Sequence, residues 1–299
     1  MNTEPYIVQW NVNGLETRIR IGEIERLITK YNPMCLCLQH LGKFDQNIKN
    51  YKIASQSNNN QGELGTAIYV HNSITYEDLQ INNQNFQHSS IQLHVPGKGK
   101  VNIINFYNQP NFNYNIKELI KIINETQAPK LIVGDINRHS PIWDSRVNFP
   151  DADARKIEEM LERDNITCLN EENTYTFFSK AHNKKTSVDI SMCSDDITEE
   201  WDWNLSEDNF TSDHWPIILT NLRANNSEEE TRRYRVNCAD WKNYTLYTNN
   251  IQTFDDNLNI EESYKILKNT IIEAANHFIP MTSGKKRKKE ERNQSSSYV

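Results

Sequence analysis

Apolar and polar positions near the start of the chain change rhythm twice. The segment YIVQWNV, residues 6–12, is a nearly unbroken apolar run closed by the turn pair Asn13-Gly14, the pattern of a strand buried on both faces. From Thr17 the apolar residues Ile21, Ile24, Leu27, Ile28 and Tyr31 recur every third or fourth position, which predicts an amphipathic helix ended by Asn32-Pro33. The run MCLCLQ, Met34 to Gln39, then predicts a second buried strand with His40 at its carboxyl end.

Further strands are expected over Gly65–Val70, Ser89–Val95 and Lys100–Tyr107. The second of these alternates as Ile91, Leu93, Val95, and Gly97 and Gly99 suit a hairpin turn between it and the next, so the sheet is partly antiparallel. A helix over Tyr114–Thr126 (Ile116, Leu119, Ile120, Ile123) leads through Pro129 to the apolar strand KLIV, which meets Gly134-Asp135 at its end. A third helix is expected over Asp151–Arg163, and short strands over Thr174–Ser179, Ser187–Met192 and Pro216–Thr220. This mixture places the chain in the α/β (α+β) class. The stretch ANNSEEE, Ala224–Glu230, reads as a solvated linker. Beyond it Tyr264, Leu267, Ile271, Ala274 and Phe278 trace one more helix, which stops at Ile279-Pro280. The expected organisation is a compact domain over 1–223, a linker over 224–231, a helical segment over 232–281 and a disordered basic tail over 282–299, where KKRKKEERNQSSSYV has almost no apolar content.

Composition narrows the function classes. With 36% hydrophobic residues and no apolar run near the roughly eighteen residues of a membrane span, a membrane partner is not expected. The opening MNTEPYIVQWNVNG lacks the basic and long apolar regions of a signal peptide, so an intracellular site, nuclear or cytoplasmic, is the default. The five cysteines form no CxxC pair and no Cys/His ligand spacing, and read as reduced. Net charge is −7 and unevenly spread: residues 1–220 carry 20 Lys+Arg against 29 Asp+Glu, giving −9, and the rest carry +2. A generic basic-patch DNA binder is therefore not indicated. If nucleic acid is the substrate, a local basic face or a bound cation must offset the acidic body.

Candidate chemistry sits where the predicted strands end: Asn11 and Asn13, His40, Tyr107, Asp135 and Asn137, Asp189, and the pair Asp213-His214. Converging strand ends are where α/β sheets bind ligands, although any one of these residues alone has the ordinary reading of a turn or cap residue. Trp143 and Trp215 could stack on bases, but core packing is the commoner role. Arg138, His139 and Arg146 follow Asp135 in a loop that suits DNA phosphates or plain solvation equally. Lys285–Lys289 is either an import or nucleic-acid patch or a charged frayed end. His182, Lys184 and Lys185 read as a solvated hairpin loop.

In their order and wording, "QWNVNGL", "FYNQPN", "GDIN", "SVDI" and "SDHWPI" together resemble the endonuclease/exonuclease/phosphatase superfamily, in particular the apurinic-endonuclease-like domain of non-LTR retrotransposons of the Jockey and R1 type. The resemblance covers about residues 5–222, and the segment 232–284 is similar to the stretch that joins such a domain to its reverse transcriptase, so the chain looks like a truncated element. It implies a four-layer sandwich of two mixed β-sheets packed face to face with helices outside, and a Mg²⁺-assisted phosphodiester hydrolysis on DNA with no small-molecule cofactor. By motif, Asp135 would orient and deprotonate the attacking water with Asn137 beside it. His214, paired to Asp189, would polarise or protonate the phosphate, and Tyr107 would contact it. Asn11, His40 and Asp213 would surround the metal. The family carries Glu where this chain has His40, and an imidazole is a poor substitute for a carboxylate on a hard cation. Three readings follow: a polar strand-end residue without function, a weakened nuclease that works better with Mn²⁺, or a site reused for binding without catalysis. Other phosphodiesterases and phosphatases of the superfamily share the GD–N and SDH residues and form the remaining alternative.

Overall fold

A computed structural model describes residues 4–14, 18–42, 47–58, 62–81, 83, 85–95, 99–110, 112, 114–222, 239–249 and 260–280. Gly97, the linker Ala224–Glu230, the expected boundary at residue 223 and the tail 282–299 with Lys285–Lys289 lie outside the described residues. The chain divides into two compact units, Met1–Ser227 and Glu228–Val299.

In chain order the first unit comprises β1 (Glu4–Asn11), α1 (Arg18–Tyr31), β2 (Pro33–Gly42), β3 (Tyr51–Asn58), β4 (Leu64–His71), β5 (Tyr76–Asp78), β6 (His88–Val95), β7 (Gly99–Tyr107), α2 (Ile116–Glu125), β8 (Lys130–Asp135), α3 (Ala152–Arg163), β9 (Ile166–Cys168), β10 (Phe177–Ser179), β11 (Lys184–Thr186), β12 (Asp189–Ser194), β13 (Trp201–Leu205) and β14 (Ile217–Asn221). They form two six-stranded sheets, ordered β13-β14-β1-β2-β4-β3 and β5-β6-β7-β8-β12-β9, and a separate hairpin β10-β11. Each large sheet is mixed: β1 runs parallel to β2 and β7 parallel to β8, and the other pairings are antiparallel.

Strand alternation explains the layering. In β2, Cys35 and Cys37 point into a cluster shared with Ile91, Leu93, Ile103, Leu131 and Cys193 of the other sheet. Leu36 and Leu38 point the opposite way, to Ile24 and Leu27 of α1. On the second sheet, Ile104 and Ile132 pack outward against Ile116, Leu119, Ile157 and Met160 of α2 and α3. The result is the expected four-layer sandwich: helix, sheet, sheet, helices.

The layer between the sheets is apolar at one end and polar at the other. At the polar end, Gln39 Nε2 donates to Asn105 Oδ1 (2.6 Å), and Asn105 Nδ2 donates to the Leu38 and Ala67 carbonyls at 3.0 and 3.1 Å. Gln9 Nε2 donates to the Gly134 carbonyl (3.0 Å) and accepts from Ser191 Oγ (2.8 Å). Side-chain bonds of this kind fix one sheet against the other at one register, which greasy contact alone does not. The strand ends that carry the candidate residues lie at this end.

Several sequence expectations shift. The strand expected to stop at Gln39 continues to Gly42 through a register irregularity between Gln39 and Gly42. Of Thr174–Ser179 only Phe177–Ser179 is strand, and Lys184 and Lys185 belong to β11 rather than to a loop. The second unit holds α4 (Trp241–Asn249) and α5 (Ile260–Phe278), joined where Asp240 N–H donates to the Phe278 carbonyl and where Tyr247 packs on Phe278.

Candidate functional site

Register brings the predicted residues together. In the antiparallel pair β12-β8, Asp189 stands directly opposite Asp135, and in the parallel pair β7-β8 Tyr107 stands beside Asp135. In the other sheet Asn11 pairs with Gln39, the residue before His40. An isolated bridge ties Phe177 to His214. A cleft of about 270 Å³ opens over these ends, lined by Asn11, Asn13, His40, Tyr107, Asp135, Asn137, His214 and, unforeseen from the sequence, Gln109, Pro110 and Phe177.

Asp135 is the most heavily bonded group. Its Oδ2 accepts from Asn11 Nδ2 (2.8 Å) and Asn137 Nδ2 (2.9 Å), and its Oδ1 accepts from the Asn137 backbone N–H (2.9 Å). Burial and the neighbouring Asp189 charge push its carboxyl up to about 7, against the opposing pull of His214 and the bonds from Asn11 and Asn137. His214 Nδ1 donates to Asp189 Oδ2 (2.8 Å). Burial by itself would lower the imidazole, but the charge and hydrogen bond of Asp189, helped by Asp135 and Asp213, raise it to about 9. At neutral pH the cleft therefore holds a buried imidazolium next to a carboxyl that titrates near pH 7, a proton donor and a proton acceptor in one site. Phe177 covers the His214 ring at 4.6 Å, and Trp10 Nε1 donates to the His214 carbonyl (3.2 Å).

The loop before His214 is tied to the first strand. Ser212 Oγ donates to the Asn11 carbonyl (3.0 Å), and Asn13 Nδ2 donates to Asp213 Oδ1 (2.9 Å). Asn13, His40 and Asn137 all have left-handed backbone, with φ of 51°, 53° and 47°. For most non-glycine residues this conformation is costly, and Asn and His are among the types that adopt it most readily.

His40 lies flat on Tyr107, with ring centroids 5.4 Å apart and 18° between planes. Burial, then His214, hold its imidazole below the usual histidine range, so it is neutral at pH 7. Burial pushes the Tyr107 hydroxyl far above its ordinary range, which keeps it a hydrogen-bond donor. Asn11, His40 and Asp213 thus offer a cation one carboxylate, one amide and a neutral imidazole, a set that Mn²⁺, which tolerates a nitrogen ligand better, accepts more readily than Mg²⁺. Ligand atoms of Asp135, Asp189 and His214 lie within 4.8 Å of one another. Asp189 Oδ1 is buried and has no hydrogen-bond partner among the described residues, the kind of atom that a cation or a water would satisfy. The Asp135 and Asp189 carboxylates fit a divalent cation, whereas His214 as an imidazolium has no lone pair to offer one.

Other expectations sort by burial. Trp143 is core, its Nε1 donating to the Arg138 carbonyl, and Arg138 itself pairs with Asp153. Trp215 stands edge-on to Tyr175, whose ring also carries Lys185. No helix among the described residues is long and apolar enough to cross a membrane.

Residues 101–218 match the family model described as endonuclease-reverse transcriptase. No curated protein matches the chain. Among solved structures, the endonuclease domain of TRAS1, a telomere-specific non-LTR retrotransposon, aligns with a TM-score of 0.60 at 18% identity over 72% of this chain and 97% of that one. The AP endonuclease LMAP from Leishmania major gives 0.59 at 15% over 72% and 87%, and the catalytic domain of Xenopus laevis APE2 gives 0.55 at 17% over 72% and 91%.

Proposed function

From a chain that has the endonuclease/exonuclease/phosphatase fold and a matching retrotransposon-type endonuclease segment, we propose a metal-dependent DNA endonuclease that nicks target DNA to expose a 3′-hydroxyl for reverse transcription, weakened by His40. The observation that carries this reading is the convergence of Asp135, held by Asn11 and Asn137, with the Asp189–His214 pair in one cleft. Asp135 accepts the proton of the attacking water, and Asn137 fixes the carboxylate so that its free lone pair faces that water. His214, kept charged by Asp189, stabilises the pentacoordinate phosphate and gives its proton toward the leaving oxygen. Tyr107 donates to a phosphate oxygen. Asn11, His40 and Asp213 would hold a divalent cation, which would supply relief of phosphate charge. The imidazole of His40 brings no negative charge to that set, so the hold is weak and favours Mn²⁺.

Nicking of supercoiled plasmid tests the reading, with wild type beside His40→Glu and Asp135→Ala in Mg²⁺ and in Mn²⁺. The expected result is slow wild-type nicking, faster with Mn²⁺, a gain with Mg²⁺ in His40→Glu, and a loss of about 10²–10⁴-fold in Asp135→Ala. A His40→Glu protein that cuts nothing with either metal sinks it. Salt-dependent DNA binding without cutting under any metal would instead favour a non-catalytic DNA-binding module. Hydrolysis of a phosphoinositide in place of DNA would move the activity to another branch of the same fold.

A further inference from the structure

A second and larger cleft, about 440 Å³, opens on the same rim as the catalytic one, between the edge strand β3 and the strands β5 and β6 of the opposite sheet. The register places it. Ser57 pairs with Thr66 and Thr66 with Gln39, so Ser57, which lines this cleft, lies two strands from the residue before His40. On the facing sheet His88 pairs with Phe106 and Phe106 with Gly134, two strands from the residue before Asp135. Two inter-strand steps are about 10 Å, about three nucleotides of a DNA strand at roughly 3.4 Å each.

The lining chemistry selects a ligand. No lysine or arginine lines the cleft among the described residues, so it offers a phosphate no cation. Asp78 supplies a carboxylate, already bonded to Gln80. His88 Nδ1 faces the Phe86 carbonyl at 3.0 Å, and because a carbonyl only accepts, Nδ1 carries the hydrogen and Nε2 is left as an acceptor. Burial lowers the His88 pKa and keeps the ring neutral. Ser90 Oγ is buried with no partner among the described residues, while its backbone N–H is bonded to Ser55 Oγ. Leu79 and Ile81 add apolar surface. A mixture of neutral donors, acceptors and one carboxylate with an aliphatic wall matches an uncharged nitrogen heterocycle bearing both amine donors and ring acceptors.

We infer that this cleft is a nucleobase subsite, taking a base of the DNA strand about three nucleotides from the phosphodiester in the catalytic cleft. The assignment rests on the nuclease reading for its substrate, and it gives the enzyme a sequence preference away from the cut. The base's amine hydrogens meet Asp78 and His88 Nε2, and Ser90 completes the set.

Two measurements on the full chain separate the possibilities. In the first, imidazole resonances of His88 are followed by NMR while deoxyadenosine, deoxyguanosine, deoxycytidine or thymidine is added, with 2-deoxyribose and inorganic phosphate as comparators. At least one nucleoside should move His88 Nε2, and Asp78→Asn and Ser90→Ala should each weaken that binding roughly tenfold, as loss of one such hydrogen bond implies. In the second, nick positions are sequenced on a mixed-sequence plasmid, using His40→Glu if the wild type is too slow. A base preference about three nucleotides from the nick should vanish in Asp78→Asn. Nicking that keeps its preference in Asp78→Asn, with His88 unmoved by every nucleoside, overturns the subsite and leaves the nuclease reading standing. An equal response to deoxyribose overturns base recognition. Nucleoside binding by a protein that nicks nothing keeps the ligand class and overturns the nuclease reading instead.

Discussion

Asp189 holds the charge state of the cleft. It bonds His214 at 2.8 Å, and its charge is what outweighs the burial that would otherwise drive the imidazole neutral. Two pH limits follow. Asp135 is competent as a base only when deprotonated, above about 7, and His214 is competent as an acid only when protonated, below about 9. Nicking should therefore trace a bell between those values at fixed metal concentration. In Asp189→Asn the His214 pKa should fall from about 9, because burial is then opposed only by Asp135 and Asp213, and NMR titration should find it lowered with the alkaline limb of the rate profile moved down accordingly. A His214 titration unchanged by that substitution would mean the pair is not what charges the ring. Stability follows the same sign. The raised His214 value contributes stability fully present below the unfolded pKa near 6.5 and lost as pH rises through about 9. The raised Asp135 value has the same sign, stability falling as pH climbs from 3.8 to about 7.

At the scale of elements, the β7-β8 pair is the tightest joint in the site. Gly134 lies against Phe106 so closely that an added Cβ would stand 2.2 Å from the Phe106 carbonyl oxygen, which is backbone and cannot swing aside. Gly134→Ala should cost about 1–3 kcal/mol or more in urea unfolding and should slow nicking as well, since Asp135 is the next residue. An alanine variant as stable as wild type would show that the two strands have slack. The elements missing from the sequence reading share one property. β3, β5, β9 and β13 are the outer strands of the two sheets, and β11 belongs to the separate hairpin. In β3 (YKIASQSN) polar residues replace the apolar rhythm that reveals β1, β2, β7 and β8, whereas β13 (WDWNL) alternates but is only five residues long. The helices were legible because one face of each is buried: Ile116, Leu119 and Ile123 for α2, Ala154, Ile157 and Leu161 for α3. Their ends were less so, since Asn115 and Asp151 turned out to be caps outside the helix rather than members of it.

At the scale of the whole molecule, the first unit contains every residue of the candidate cleft and all three hydrophobic clusters that hold its layers. A fragment of residues 1–223 should then unfold in one cooperative transition and nick plasmid at the rate of the full chain, measured by circular dichroism and by the same plasmid assay. A fragment that fails to fold would show that the boundary lies elsewhere. The charge of −9 over residues 1–220 sets a cation requirement for the proposed DNA substrate, which would meet an acidic body whose barrier only local cations such as Lys184 and Lys185 on the hairpin beside His214, or a bound metal, would lower.

The sequence by itself determined the central strands, the faces of the helices and the identity of the strand-end residues, because each follows from near neighbours along the chain: burial on two faces, a periodic stripe, a turn pair. It also disclosed, through motif wording, the family likeness and the odd histidine in it. Only the tertiary structure decided that Asp135 and Asp189 stand opposite one another, that His40 lies on Tyr107, that Phe177 covers His214, and that a second polar cleft shares the rim. Those relations join residues tens of positions apart. They are fixed by strand order and register, which depend on how two sheets pack and bond across Gln9, Gln39 and Asn105, and local periodicity carries no record of that pairing.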